Sequence, residues 1–343
     1  MEVAHIEKLL LVILLFAQNA ISNEMKKFSM LMPNVHPNRD ELYLCTPVKV
    51  LPDKSFYIVG FEPNATMNTV HHMILFGCTT PGAKREFWDC GEMATGVNSH
   101  LPRAQPCAEG SHVLYAWARD ADSLELPDDV GFQIGIGTQV QYLVLQVHYA
   151  HKFPDTFVDR SGINLIYTQK PRSKLAGVVL LATGGTIPPH GITHMESNCV
   201  INEHKTIYPF AYRTHTHSLG KVVSGYQVKR DKFGYDEWVL LGKRDPMTPQ
   251  MFYPTFSKAP IKYGDVLAGR CTMESHRDRD TFVGPTNNDE MCNFYLMYYV
   301  DGDTPLNMKY CTTAGPPFHY WANTKYHFKN IPDIDASNLN TID

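Results

Sequence analysis

The sequence predicts an all-β chain in two units, and three observations predict it. Gly and Pro number 23 each against few long helical periods, so the chain reads as many short strands joined by tight turns. At 343 residues there is room for two domains of ordinary size, each with its own core. The eight cysteines fall into two groups of four, Cys45, Cys78, Cys90 and Cys107, then Cys199, Cys271, Cys292 and Cys311, separated by the gap from 107 to 199. A hydrophobic content of 43% with 19% charged residues describes a globular protein and excludes disorder. A formal charge of −4 without a basic run gives no reason to expect nucleic acid as a partner.

Residues 9–16 (LLLVILLF) lie between Lys8 and Ala20-Ile21-Ser22. The run is too short to span a bilayer and fits the hydrophobic region of a signal peptide over 1–22. No second long apolar run follows, so no membrane span is expected and the mature chain belongs in the secretory pathway or outside the cell. An even number of cysteines in such a chain, without the CxxC pairs of structural zinc sites, implies disulfides. Each group of four leaves three pairings open. Asn64-Ala65-Thr66 is the one glycosylation sequon.

In order, 41–50 and 56–61 read as strands, and 69–76 as a third that opens with adjacent His71 and His72. Neighbouring strand residues point to opposite faces, so a metal shared by this pair needs a twist, a bulge or a strand end. Taken alone, the pair reads equally well as one core and one surface histidine. Cys78 can anchor the far end of that strand. The loop 79–110, poor in apolar runs, reads as tied down by Cys90 and Cys107. Strand character resumes at 113–118, and 142–149 (YLVLQVHY) is the cleanest alternation. Leu143, Leu145 and Val147 face a core; Tyr142, Val144, Gln146 and His148 face the other way. His148 can thus complete a set with His71 and His72. The polar stretch Gln169-Lys170-Pro171-Arg172-Ser173 is the expected boundary, giving units over 23–172 and 173–343. In the second, 177–182, 206–217, 221–228, 237–241, 265–270 and 293–300 read as strands. The loop with His190 and His194 reads as solvent-exposed, and Arg277-Asp278-Arg279-Asp280 as a solvated loop of alternating sign. No Gly-rich phosphate loop precedes a helix and no GxSxG elbow appears.

The chemistry concentrates in Arg213-Thr214-His215-Thr216-His217. As a strand it places Arg213, His215 and His217 on one face. Imidazoles at i and i+2 can reach one metal, and a guanidinium beside them can hold a carboxylate. In 291–295, Met291, Asn293 and Tyr295 likewise share a face, while Cys292, Phe294 and Leu296 turn away. A His-His-Met set suits copper that cycles through Cu(I), because a thioether is a soft ligand. The two faces make one site only if the strands lie close; otherwise HxH is a surface pattern and Met291 a turn residue. A disulfide from Cys292, with Cys271 nearest in sequence, would help fix its strand.

The segments VHHMILFGC (70–78), LYAWARD (114–120), LQVHYA (145–150), FAYRTHTHSLGKVVSGY (210–226) and DEMCNFYLMYY (289–299) closely resemble the copper- and ascorbate-dependent monooxygenases, in particular the peptidylglycine α-hydroxylating branch, related to dopamine β-monooxygenase. The resemblance runs from about Met32 to Pro332 with the motifs in family order. It implies two disulfide-stapled, jelly-roll-like antiparallel β-sandwiches, each holding one copper on facing sides of an open cleft. His71, His72 and His148 match the ligands of the electron-transfer copper. His215, His217 and Met291 match those of the copper where oxygen binds and the C–H bond is broken. Arg213, Asn293 and Tyr295 match positions that hold the carboxylate of a glycine-extended peptide, and Gln146 one on the path between the metals. The implied disulfides are Cys45–Cys90, Cys78–Cys107, Cys199–Cys311 and Cys271–Cys292.

The implied reaction is hydroxylation of the C-terminal glycine α-carbon by O₂ and ascorbate, the first step of peptide amidation and neuropeptide processing. It is expected in a secretory granule lumen or outside the cell, by a monomer. Two departures stand out. Neither the Arg160-Ser161-Gly162 position nor the N-terminal region carries the cysteine of a fifth, tethering disulfide. No lyase domain is expected in this chain, and a separate peptidyl-hydroxyglycine lyase is expected in trans. A catecholamine-type benzylic hydroxylase would not need an arginine beside HxH. A secreted copper-binding protein without activity would not need Arg213, Asn293 and Tyr295.

Overall fold

The cleanest alternation in the sequence becomes the centre of a sheet. Tyr142–Tyr149 lies between Leu42–Lys49 and His72–Cys78, with Trp88–Asp89 and His112–Ala118 at the edges, all antiparallel. The computed structural model describes residues 25–91, 103–284, 286 and 288–341, so the signal segment expected over 1–22 lies outside the described residues. Leu143, Leu145 and Val147 pack with Leu44 and Leu75 against Ile58, Phe61, Phe132 and Leu165 of a second sheet. That sheet is built from Lys26–Leu31, Gly162–Thr168, Ser55–Asn64 and Val130–Gly135. The other face of Tyr142–Tyr149 is covered too. Val144 packs with Tyr43, Trp88 and the cysteines of two disulfides, Cys45–Cys90 and Cys78–Cys107. The disulfide-tied loop therefore encloses a face that alternation alone leaves open.

The second half repeats the plan. Gly191–Val200, Val266–Ser275, Gly220–Arg230 and Asp236–Arg244 form one antiparallel sheet. Opposite it stand Lys174–Thr183, Asn293–Asp301, Tyr208–His215 and Tyr253–Pro254, with Tyr310–Thr313 added parallel to Lys174–Thr183. Cys199–Cys311 and Cys271–Cys292 staple this half. All four disulfides join the partners that the family resemblance implies.

The halves are not separate bodies joined by a linker. Val130 and Gly131 pair in parallel with Lys174 and Leu175, which makes one ten-stranded sheet across both. Asn293–Asp301 is consequently buried on two sides. Phe294, Leu296 and Tyr298 enter the core of the second half, whereas Tyr295 and Met297 pack with the first. The near-continuous apolar run NFYLMYYV follows from that position.

A cross-strand pair of glycines sets how closely the second half's sheets approach. Gly225 and Gly242 sit opposite each other. A Cβ on Gly225 would come within 2.2 Å of Phe294, and one on Gly242 within 2.4 Å of Tyr212. Tyr212 and Phe294 stack with centroids 5.6 Å apart on that floor. Each immediately adjoins a candidate site residue, Arg213 and Asn293. Gly225→Ala is expected to lower stability by about 1–3 kcal/mol through overpacking, read as a lower thermal midpoint. An unchanged midpoint would show that the rings move aside freely.

Two readings need correction. His194 is not in a loop: it belongs to the strand Gly191–Val200, where it is half-buried with Nδ1 3.4 Å from Thr272 Oγ1. The strand escapes a hydrophobic pattern because Glu196 and Ser197 are buried, Glu196 accepting from Arg270 Nε at 2.6 Å. His190, just before it, is exposed and bonded to Asp278 at 2.9 Å. The strand expected over 206–217 also ends early, at His215.

Candidate metal centre

Strand pairing brings the first histidines together. His72 opens its strand directly opposite His148, so both rings project from the same face. His71 precedes the strand and donates its backbone N–H to the His148 carbonyl at 2.9 Å. A strand end thus lets adjacent histidines serve one point. His71 Nδ1 lies 3.4 Å from His72 Nδ1, which lies 3.3 Å from His148 Nδ1. The three ligand atoms all fall within 4.8 Å of one another.

The surroundings prepare these nitrogens as ligands. His148 Nε2 stands 2.7 Å from Glu41 Oε2, which fixes the proton on Nε2 and leaves the Nδ1 lone pair inward. Tyr43 stacks on the His148 ring at 4.0 Å. Burial, reinforced by neighbouring histidines, pushes His71 down to about 4 and His72 well below its usual range. His148 is lowered chiefly by burial, with Glu41 opposing. Three neutral imidazoles with converging lone pairs are a donor set that fits copper.

The second set is built on two neighbouring strands. Arg213 pairs across with Tyr295, and His215 with Asn293, so all four side chains share one face. Asn293 Nδ2 reaches Met291 Sδ at 3.7 Å, bringing the thioether to this face. His217 lies beyond the strand end and is held by other contacts. Its Nδ1 is 3.1 Å from the Asp289 carbonyl, and its backbone N–H donates to Glu290. Glu290, fully buried, also accepts the N–H groups of Leu219 at 2.7 Å and Met291 at 2.8 Å. One carboxylate therefore ties the His217 turn to the Met291 backbone. Burial raises its pKa.

Gln250 is the residue that sequence reasoning missed most plainly. It is buried, with Oε1 2.7 Å from His215 Nδ1 and 3.1 Å from Arg213 Nη2, while its carbonyl accepts Arg213 Nε at 2.8 Å. The acceptor fixes the His215 proton on Nδ1 and leaves Nε2 free, as the Asp289 carbonyl does for His217. Nothing periodic marks Gln250, which lies between the strands Asp236–Arg244 and Tyr253–Pro254. Gln250→Ala is expected to weaken copper binding at the second set about 10–100-fold, measured by equilibrium dialysis, while the first set keeps its metal. Equal affinity would remove Gln250 from this role.

Arg213 itself is 3% exposed, with its Cζ 5.2 Å from the Tyr295 ring centroid. Among the described residues no carboxylate pairs with it; its partners are Gln250 and Tyr295. Burial pulls its pKa below the ordinary guanidinium value, and burial followed by the Arg213 charge holds His215 well down. A buried, always-charged fork without a counter-charge is a place for an anion. The two histidine sets also meet. The His72 and His215 ring centroids are 6.4 Å apart, so the cleft expected between the halves is closed at this point. Gln146 shares the strand and face of His148 but stands two residues away, its amide donating to the Gly91 carbonyl at 3.0 Å.

Comparison with known proteins places both halves in one family. Residues 28–155 match the model for the N-terminal domain of copper type II ascorbate-dependent monooxygenases, and residues 174–324 that for the C-terminal domain. The chain is 38% identical to peptidyl-glycine alpha-amidating monooxygenase A of Xenopus laevis, over 88% of this chain and 30% of that protein. It is 39% identical to the Mus musculus peptidyl-glycine alpha-amidating monooxygenase, over 83% of this chain and 28% of the relative. A Mus musculus DBH-like monooxygenase protein 2 is 29% identical over 77% of this chain and 44% of its own length. The chain thus spans under a third of the amidating relatives. Two domain models in order, each enclosing one of the converging side-chain sets, show that the chain belongs to the copper type II ascorbate-dependent monooxygenase family.

Proposed function

We propose that this chain hydroxylates the α-carbon of a peptide's C-terminal glycine, using O₂ and two electrons from ascorbate. The supporting observation is Arg213, a buried guanidinium without a carboxylate partner among the described residues, on the face that carries His215, Asn293 and Tyr295. A peptide's terminal carboxylate supplies the missing charge through charge-assisted hydrogen bonds. Asn293 and Tyr295 orient it. The glycine α-carbon, one bond from that carboxylate, is then directed toward the His215, His217 and Met291 side chains.

In this reading His71, His72 and His148 hold one copper, and His215, His217 and Met291 a second. Copper there supplies one-electron redox chemistry and the activation of O₂. The imidazoles contribute neutral nitrogen and Met291 a soft sulfur that favours the reduced metal. Gln146 takes the role the resemblance implies, on the route of electrons from the first set. One oxygen atom enters the C–H bond; the other leaves as water with two protons, while two ascorbates give up one electron each. The boundary between the copper-holding units falls at 172/173. Eight paired cysteines favour an oxidising compartment, the secretory pathway or beyond. Among the described residues no helix is long and apolar enough to cross a membrane. A lyase that cleaves hydroxyglycine is the reaction class that consumes the product.

Similarity to the DBH-like relative raises a benzylic hydroxylase as the second reading. Ascorbate-dependent oxygen uptake by the copper-loaded chain separates the two. A glycine-extended peptide is expected to drive uptake and a phenethylamine not to; the reverse preference would replace our reading with the second.

A further inference from the structure

Away from the histidines, the seam between the halves opens into a groove of about 240 Å³. His112, Gln133 and Gln139 line it from the first half, Gly177, Asn307 and Lys309 from the second. Beside it the Tyr310 hydroxyl joins the halves, 3.2 Å from both Ser111 Oγ and the Ser111 carbonyl. Lys309 Nζ donates to the Leu306 carbonyl, and among the described residues it has no carboxylate within ion-pair distance.

The acid that acts on Lys309 is already engaged. Glu203 faces Lys205 at 3.4 Å and accepts the backbone N–H groups of Asn307 and Met308 at 2.7 and 3.1 Å. It also accepts the Asn307 side-chain amide at 3.1 Å. Burial draws Lys309 down to about 8, with Glu203 opposing and Lys205 adding to the shift. Burial and then the Lys309 charge push His112 down to about 4. At neutral pH the groove thus holds a half-buried ammonium that, among the described residues, is in ion-pair contact with no carboxylate, together with a neutral imidazole.

We propose that this groove binds a small oxyanion, a carboxylate or a phosphate, on Lys309, with His112 and Gln139 as its hydrogen-bonding groups. The anion touches both halves and so strengthens their apposition. It is not a reactant. His112 stands six residues from Ala118, the cross-strand partner of His72, about 20 Å along the strand. The inference does not depend on the reaction proposed above.

The test titrates the full chain at pH 7 with sodium succinate and, separately, sodium phosphate, by isothermal calorimetry in a sodium chloride background of matched ionic strength. Saturable binding with a Kd near or below about 1 mM is expected for at least one of them, with a rise in thermal midpoint. Binding of succinate alone, phosphate alone or both supports the proposal and identifies the source. Lys309→Gln, with an unchanged circular dichroism spectrum, is expected to weaken binding at least about tenfold. Should that variant fail to fold, Lys309→Arg is expected to retain binding and Gln139→Ala to weaken it several-fold. No saturable binding by the unaltered chain, equal binding by Lys309→Gln, or an equal midpoint shift with sodium chloride alone would overturn the proposal.

Discussion

Met291→Ala or His215→Ala is expected to lower ascorbate-driven turnover by about 10³-fold or more and to remove about one tightly bound copper per chain. Each replacement deletes a ligand of the proposed second set without disturbing its frame. Glu290 continues to hold the backbone at His217, Leu219 and Met291, and Gln250 continues to hold Arg213. Met291 is 9% exposed and His215 8%, so solvent does not readily replace the lost donor. Loss of the thioether also favours the oxidised metal, because nitrogen donors alone are harder ligands. Copper per chain after dialysis, measured with turnover, checks both effects. Turnover close to that of the unaltered chain in either variant would remove that residue from the site.

Arg213→Ala is expected to act on binding rather than on the metal. Losing charge-assisted hydrogen bonds of about 1.5–3 kcal/mol should reduce kcat/KM about 10–200-fold, carried mainly by KM. His215 keeps Gln250 as acceptor, so copper content should stay constant. Arg213→Lys tests the geometry: a point charge replaces the planar fork, and only part of the affinity should return. An Arg213→Ala variant with unchanged KM for glycine-extended peptides would mean that another group reads the carboxylate.

The parts of this site that sequence reasoning could reach are those governed by strand periodicity. Arg213 and His215 share a face, and Asn293 and Tyr295 stand directly across from them, because side chains alternate and the two strands are neighbours. The alternation in Tyr142–Tyr149 likewise put His148 opposite the aliphatic core. What periodicity could not supply is anything fixed by distant chain segments. His217 lies past the strand end, positioned by Asp289 and Glu290 more than seventy residues on. Gln250 orients the His215 imidazole from outside any patterned segment, and Glu41, at the first position of the strand expected over 41–50, orients that of His148 through a contact that alternation does not encode. The shared ten-stranded sheet rests on the pairing of Val130 and Gly131 with Lys174 and Leu175, a register no local pattern encodes. Gly191–Val200 was hidden because a buried Glu196–Arg270 pair stands where alternation expects apolar residues.

The most direct test of the central claim follows one carbon atom. Copper-loaded protein, ascorbate and O₂ are incubated with a peptide ending in α,α-dideuterated glycine, beside the same peptide ending in an amide, and both are sequenced by mass spectrometry. Only the glycine-ended peptide is expected to gain an oxygen, with loss of one deuterium from its terminal α-carbon. Oxidation at any other carbon, equal oxidation of the amide, or no product from protein that retains copper at both sets would contradict it.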